Sequence, residues 1–291
     1  MDTASLEKAD VLRLKRHLDQ IAVPRDVFRN RESLSAVQNY IESQFKSFGY
    51  ETRRQPFYLQ GQELENILAQ KNPGPGPRIV LGAHFDSVPE TPGADDNASG
   101  IAVLLETARL LASRKAVQHV DFAAFNAEEY GMAGSQAMAA DYKKFGTSLL
   151  GMISLEMVGY VDLRPGAQKI PWMLRPFYPD RGDFLALVGN WKSFHLLKIA
   201  KRAFLEANET DPLPLQTLAL PGKGWMIPAC RLSDHSPFWD QGYPALLVTD
   251  TSFFRNPHYH KSTDTPETLN LEFMAKTAQG VARLAERLVE P

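Results

Sequence analysis

Cysteine is almost missing from this chain: Cys230 stands alone among 291 residues. An intramolecular disulfide is thereby excluded, and so is a metal site built on several thiolates. A dominant charge is lacking too, with 32 basic against 34 acidic residues and a formal net charge of −2. Such a balance argues against a main role on nucleic acid or on an anionic membrane surface. No run of about 18 apolar residues occurs, so no membrane-spanning helix is expected. The opening MDTASLEKADVLRLKRHL mixes charges with apolar residues at helical spacing and holds no uninterrupted apolar stretch of the kind a leader peptide needs. A cytoplasmic location is the plain reading, with a periplasmic or secreted one open if a leader has been removed. Internal repeats and low-complexity tracts are also missing.

What is present is ordinary globular chemistry, 44% apolar and 23% charged, close to the average for soluble domains and long enough to bury a sizeable core. Apolar spacing predicts amphipathic helices over 6–21 and 34–48, the second closed by Gly49. Strands are expected at 50–58 and 64–70, and a buried one in PRIVLGAHFDS. A helix over 100–112, a strand within 119–129, a helix over 136–145 and a strand over 149–160 follow. The remainder reads as a strand at 184–190, a helix over 191–208, strands in PLQTLAL and YPALLVTD, and a helix over 267–289 with Pro266 near its first turn. This alternation predicts an α/β fold: a single globular domain over 1–291, with a mixed, mostly parallel central sheet and helices on both faces. The N-terminal helices within 1–49 should pack on that domain. Residues 162–183 form a long excursion, and the loop around 221–234 is also long; loops of that length are often functional.

In open α/β sheets, ligands bind beyond the carboxyl ends of the strands. Acidic and histidine residues cluster there. His84 and Asp86 end one strand, Glu128 and Glu129 another, and Glu156 lies toward the end of a third. His258 and His260 follow YPALLVTD, and GADDNASG (93–100) precedes a helix, where exposed N–H groups favour a carboxylate. Each residue has a plainer reading. His84 alone is more often a satisfied buried histidine than a ligand, but Asp86 shares its strand face and could accept the second ring N–H, as partners of ligating histidines do. Asp95 and Asp96 could cap the next helix. Glu128-Glu129 could be a solvated turn. Glu156, flanked by Leu155 and Met157, would need a partner if buried. His235 in SDHSPF reads as structural, and His258 as a surface or supporting residue. Taken together, imidazoles and carboxylates on one rim suit a hydrolytic zinc site with N and O ligands.

The ordered set AHFDS, GADDNASG, AEEYGMAGS, LEMVGY and YHKSTDT resembles the co-catalytic dizinc aminopeptidases, a clan that includes bacterial leucine-type aminopeptidases, glutamate carboxypeptidase and the glutaminyl cyclases. The resemblance covers roughly residues 64–289. It implies two zinc ions, with His84, Asp96, Glu129, Glu156 and His260 as ligands and Asp96 bridging. It leaves open which ion Glu129 serves. It further implies Asp86 oriented against His84, Glu128 as general base and Tyr259 polarising the scissile carbonyl. Asp95 is left to support the loop or cap the helix. Glu156 departs from the pattern, which has aspartate there; its carboxylate reaches one methylene further. Gly93 and Gly100 would let the backbone turn tightly around Asp96.

The implied reaction is removal of N-terminal residues from peptides carrying a free N-terminus, through a metal-bridged water with Glu128 moving the proton. Alternatives on the same fold are a glutaminyl cyclase-like acyltransferase and a dizinc carboxypeptidase. Substrate preference should come from the two long loops, with Trp172, Phe177, Tyr178, Trp225 and Met226 as candidate pocket walls. Neither a nucleic acid nor a membrane is an expected partner, and the oligomeric state is not legible.

Overall fold

Buried apolar positions at helical spacing place the N-terminal helices on the core. A computed structural model describes residues 7–171 and 174–290. In it α1 (Val11–Ile21) buries Leu14, Leu18 and Ile21, one stripe of the helix. It starts later than the apolar spacing suggests because the Asp10 side chain accepts from the N–H groups of Leu12 and Arg13 and caps it. Helix α2 (Arg31–Ser47) follows. Strands β1 (Glu51–Leu59) and β2 (Gln62–Gln70) pair antiparallel with Leu59 opposite Gln62, across a tight two-residue turn in which Gln60 and Gly61 both have positive φ.

From β3 the chain alternates: β3 (Arg78–His84), α3 (Gly100–Leu111), β4 (Val120–Phe125), α4 (Ala133–Lys144) and β5 (Leu149–Glu156). Then come β6 (Leu185–Asn190), α5 (Phe194–Ala207), β7 (Leu215–Leu220), the short α6 (His235–Asp240), β8 (Ala245–Thr249) and α7 (Leu271–Val289). The last helix begins at Leu271, not 267, because the Asn270 side chain accepts from Phe273 N–H and Pro266–Thr268 forms a separate turn.

The eight strands make one sheet in the order β1-β2-β4-β3-β5-β8-β6-β7. The central run β4, β3, β5 and β8 is parallel, while β2 against β4 and β6 against β8 are antiparallel. Strands this deeply buried read as continuous apolar runs, as the wholly buried β3, β4 and β8 do. One face carries α1, α2, α3, α5 and α7 over the main core. The other carries α4 and α6 over Val80, Ala123, Phe125 and Met152. That second layer stops short of β6 and β7, leaving Phe184, Ala186, Val188, Leu220 and Leu247 as a separate apolar patch. Among its described residues the excursion 162–183 has only an isolated bridge between Asp162 and Gly182, as expected of a loop. No helix among the described residues is long and apolar enough to cross a membrane.

The order in which strands are added reverses at β3: α3 leads to β4 on one side, and α4 returns to β5 on the other. The crevice at such a switch point is where α/β sheets bind ligands. His84 and Glu156 are the last residues of the two strands that flank it.

The helical layer also buries His17, whose Nδ1 lies 2.8 Å from Tyr40 Oη and whose Nε2 has no partner. Burial, then Arg13 and Arg16, lower its pKa from 6.5 to about 4. The neutral form is the one that folds, so its contribution is intact above pH 6.5 and is lost as pH falls toward 4. From this group alone, stability should drop by about 2 kcal/mol between pH 7 and 5. Denaturant unfolding of wild type and His17→Phe at both pH values should show a smaller drop in the variant.

Candidate metal centre

Six side chains from five segments meet beyond the carboxyl ends of the parallel strands. His84 is fully buried; its Nε2 lies 3.3 Å from Asp96 Oδ1 and 3.4 Å from Glu156 Oε1. His260 Nε2 lies 3.1 Å from Asp96 Oδ2 and 3.3 Å from Glu129 Oε2. Asp96 therefore turns one oxygen to each imidazole. His84, Asp96 and Glu156 form one triad and Asp96, Glu129 and His260 a second, each with its candidate ligand atoms within 4.8 Å of one another. Glu128 belongs to neither; its Oε2 is 4.0 Å from His84 Nε2. Glu129 thus groups with His260, the point that spacing left open.

The candidate ligands are held from behind. Asp86 lies 3.5 Å from His84 Nδ1, but its closer bonds are from the N–H groups of Glu128 (3.1 Å) and Glu129 (3.2 Å). It fixes the acidic turn as well as facing the ring. Glu156 accepts from Ser233 Oγ at 2.9 Å, and Ser233 in turn meets Ser154 Oγ at 2.9 Å. The longer side chain is accommodated at the strand end, after which Met157 takes a positive φ of 47°. Asn97 staples the Asp96 loop to that bend: Nδ2 donates to Leu155 O, while Oδ1 accepts from Met157 and Gly100 N–H. A Cβ on Gly100 would fall 2.3 Å from Asn97 Oδ1, and Gly93 has φ 56°, so both glycines of the motif are required.

Asp95 does not cap a helix. Its oxygens accept from Gly159 N–H and Asn256 Nδ2 at 3.0 and 2.6 Å, joining two other loops; the helix begins only at Gly100. Asp264 receives the N–H groups of Asp95 (2.9 Å) and Asp96 (3.1 Å). Neither Asp264 nor Asn97 had a signal beyond membership of a motif, since their partners lie far along the chain. Asp234 is buried with both oxygens unpartnered. His235 beside it bonds the Cys230 carbonyl at 2.9 Å and sits edge-on to Trp239, a structural role. His258 is half-buried and bonds Thr263. Tyr259 stacks on His260 with centroids 3.7 Å apart.

The electrostatics call for a cation. Burial, reinforced by Glu156, Asp234 and Glu129 and opposed by His84, pushes the Glu128 carboxyl well above the usual range. Burial and Asp96 raise Glu129 to about 7 against the pull of His260, and burial raises Glu156. Burial works against the imidazoliums, yet the carboxylates outweigh it, lifting His84 well above 6.5 and His260 to about 10. Asp96 is held low by both histidines despite its burial. Crowded buried carboxylates of this kind are neutralised by protons or by metal. The donors are imidazole nitrogen and carboxylate oxygen, a set that suits zinc, and Glu129 Oε1 is buried without any partner. The residues fit the metal.

Beside the cluster opens a cavity of about 360 Å³, in the size range of small-ligand sites. Its floor is the apolar patch on β6–β8, including Ala186, Val188 and Leu247; Leu174, Tyr178, Ile227 and Leu232 from the two long loops line its walls. Of the candidate wall residues on the two long loops, Tyr178 lines the cavity. Phe177, Trp225 and Met226 do not: they are 76%, 65% and 64% exposed, and Trp225 lies over the Arg231 guanidinium at 3.9 Å. Trp172 lies outside the described residues.

A sequence profile of peptidase family M28 matches residues 66–285. The chain belongs to peptidase family M28. It is 37% identical over 280 residues to YfbL of Escherichia coli (strain K12), across 92% of this chain and 84% of that one. It is 29% identical over 224 residues to leucine aminopeptidase 1 of Coccidioides posadasii (strain C735), across 72% of this chain and 52% of that protein. The M28 chain thus spans about half the length of that relative. In fold it is similar to LapB of Legionella pneumophila, with a TM-score of 0.77, 22% identity and coverage of 97% and 73% of the two chains. A Zn-dependent exopeptidase from Parabacteroides distasonis matches with a TM-score of 0.71, 19% identity and coverage of 97% and 99%. Glutaminyl cyclase of Porphyromonas gingivalis matches with a TM-score of 0.71, 20% identity and coverage of 98% and 100%. These structural likenesses show that the fold is shared with all three.

Glu129 gives a pH test. Its folded pKa is raised, so its contribution is complete below about pH 4.5 and is lost as pH rises through about 7. In chelator, the M28 chain should lose on the order of 1–3 kcal/mol over that window. Melting curves should show a shallower loss in Glu129→Gln, and added zinc should reverse the loss in wild type.

Proposed function

We propose that this M28 chain is a zinc-dependent aminopeptidase that releases apolar N-terminal residues from peptides. The observation that carries the reading is the pair of triads joined through Asp96, with Glu128 outside both and facing the same apolar cavity. His84, Asp96 and Glu156 would hold one zinc ion; Asp96, Glu129 and His260 would hold a second. Bound there, the ions supply a Lewis acid for the scissile carbonyl and lower the pKa of water.

The protein's own groups then have defined tasks. Glu128, standing outside both triads, would accept a proton from the attacking water as its carboxylate and, as the resulting carboxylic acid, deliver it to the leaving amine. Asp86 orients the His84 ring and holds the Glu128–Glu129 backbone. Tyr259, fixed by stacking on His260, offers its phenol to the carbonyl oxygen. Carboxylates dominate the inner wall, which suits a substrate ammonium; Lys169 is the one ammonium among the described residues that line the cavity. That balance favours recognition of an amino terminus over a carboxyl terminus. The apolar floor suits a leucine- or phenylalanine-sized side chain, in keeping with the leucine aminopeptidase names of several relatives.

A panel of aminoacyl reporters, Gln-peptides and free-carboxylate dipeptides, run with metal analysis of the same sample, tests this. Leu and Phe reporters should be cleaved at least about tenfold faster than Gly, Asp or Lys ones. Two zinc ions should be found per chain. Glu128→Gln should lower kcat by about 10²–10⁴-fold while keeping the zinc. Pyroglutamate formation or release of a C-terminal residue in place of N-terminal cleavage would overturn the assignment.

A further inference from the structure

The bend between α1 and α2 carries a guanidinium with 0% exposure and no carboxylate among its hydrogen-bond partners. Arg25 Nε donates to the Phe85 carbonyl at 2.6 Å, Nη2 to Gly93 at 2.8 Å, and Nη1 to Pro92 at 2.5 Å and Val23 at 3.1 Å. Its backbone N–H reaches Ser87 Oγ at 3.2 Å. Burying a charge in this way is unfavourable unless the surroundings answer it. Here four carbonyl dipoles do so, together with the field of Asp86, Asp96, Asp264 and Glu129. Burial lowers the guanidinium pKa only to about 10, which leaves it charged at neutral pH.

The carbonyls it grips are not arbitrary. Phe85, Pro92 and Gly93 lie on the segment that runs from His84 to Asp96, so one side chain sets the path between two ligands of the centre. Gly93 packs directly on it: a Cβ there would come within 3.1 Å of Arg25 Nη1 and 2.3 Å of Asp96 O. The next residue, Asp26, is also fully buried and accepts from Tyr130 Oη at 2.5 Å. Tyr130 follows Glu129 and sits edge-on to Phe28 at 4.9 Å. The bend therefore fastens both the His84–Asp96 segment and the Glu128–Glu129 turn, although it lies outside the 66–285 region that matches the family profile.

We propose that Arg25, assisted by Asp26, is a positioning residue of the metal centre: it fixes the loop between His84 and Asp96 and places a permanent positive charge beside the carboxylates. The role rests on the zinc reading given above. Lysine cannot replace it, because a single ammonium lacks the planar fork that reaches carbonyls on several sides.

The test compares Arg25→Lys, Arg25→Met and Tyr130→Phe with Tyr40→Phe, which removes a hydrogen bond between α1 and α2 away from the centre. For each, zinc affinity is measured by chelator competition, alongside the melting temperature of the metal-free form, kcat and KM. Arg25→Lys should bind zinc about 10–100-fold more weakly, with kcat reduced and KM little changed. Tyr130→Phe should move zinc affinity in the same direction by a few-fold. Tyr40→Phe should lose stability without moving zinc affinity. If Arg25→Met fails to fold, the lysine and Tyr130 variants decide. A folded Arg25→Lys with wild-type zinc affinity and kcat would sink the positioning role alone, as would loss of zinc in Tyr40→Phe in step with its melting temperature. Wild-type protein that takes up no zinc would sink the reading of the centre itself, and this role with it.

Discussion

The carboxylate of Asp96 divides its oxygens between His84 and His260, at 3.3 and 3.1 Å, and the surrounding architecture holds that division in place. A carboxylate can face two imidazoles in this way only if its own backbone cannot drift. Asp264 accepts from the successive N–H groups of Asp95 and Asp96, Asn97 binds the loop to the exit of β5, and Arg25 holds the approach from Gly93. Gly93 and Gly100 are the positions at which a side chain would collide with this packing. The motif is thus a rigid cradle, and its helix-capping appearance is incidental.

The sheet supplies the other half of the geometry. Parallel β3 and β5 lie side by side, so their last residues, His84 and Glu156, emerge as neighbours without any loop to place them. Glu128, Glu129 and His260 arrive on loops, which are softer, and each is tied down by hydrogen bonds or stacking, from Asp86 in one case and Tyr259 in the other. Concentrating this many acids where water is scarce raises the proton affinity of most of them. The same electrostatic tension that favours a bound cation leaves Glu128 ready to exchange a proton. The second helical layer ends before β6 and β7, which exposes apolar sheet surface next to that chemistry. A cavity with an apolar floor and an acidic wall follows from where α4 and α6 stop.

Strand and helix positions were legible because their signals are local: alternation, apolar runs and turn residues act over a few positions. Ends were less so. The first and last helices begin at Val11 and Leu271 because Asp10 and Asn270 cap them there. Of the large side chains expected from the two long loops to wall the pocket, Phe177, Trp225 and Met226 do not line it, since nothing local distinguishes a loop side chain that points inward from one left in solvent. Tyr178 and the aliphatic residues of the patch line the cavity instead.

By itself the sequence determined which chemical groups were available and roughly which segment carried each: imidazoles and carboxylates at predicted strand ends, in an order that resembles one clan of zinc enzymes, with no thiolate to compete. Only the tertiary structure decided how they associate. Glu129 groups with His260 and not with His84; Asp95 ties loops and caps nothing; Asp264 binds Asp96 from 168 residues away in the chain, and Arg25 binds Gly93 from 68. The physical reason is that residue type and periodicity report on a neighbourhood of one or two turns, whereas hydrogen bonds to a buried carboxylate are chosen by whatever distant backbone the packed core brings within about 3 Å.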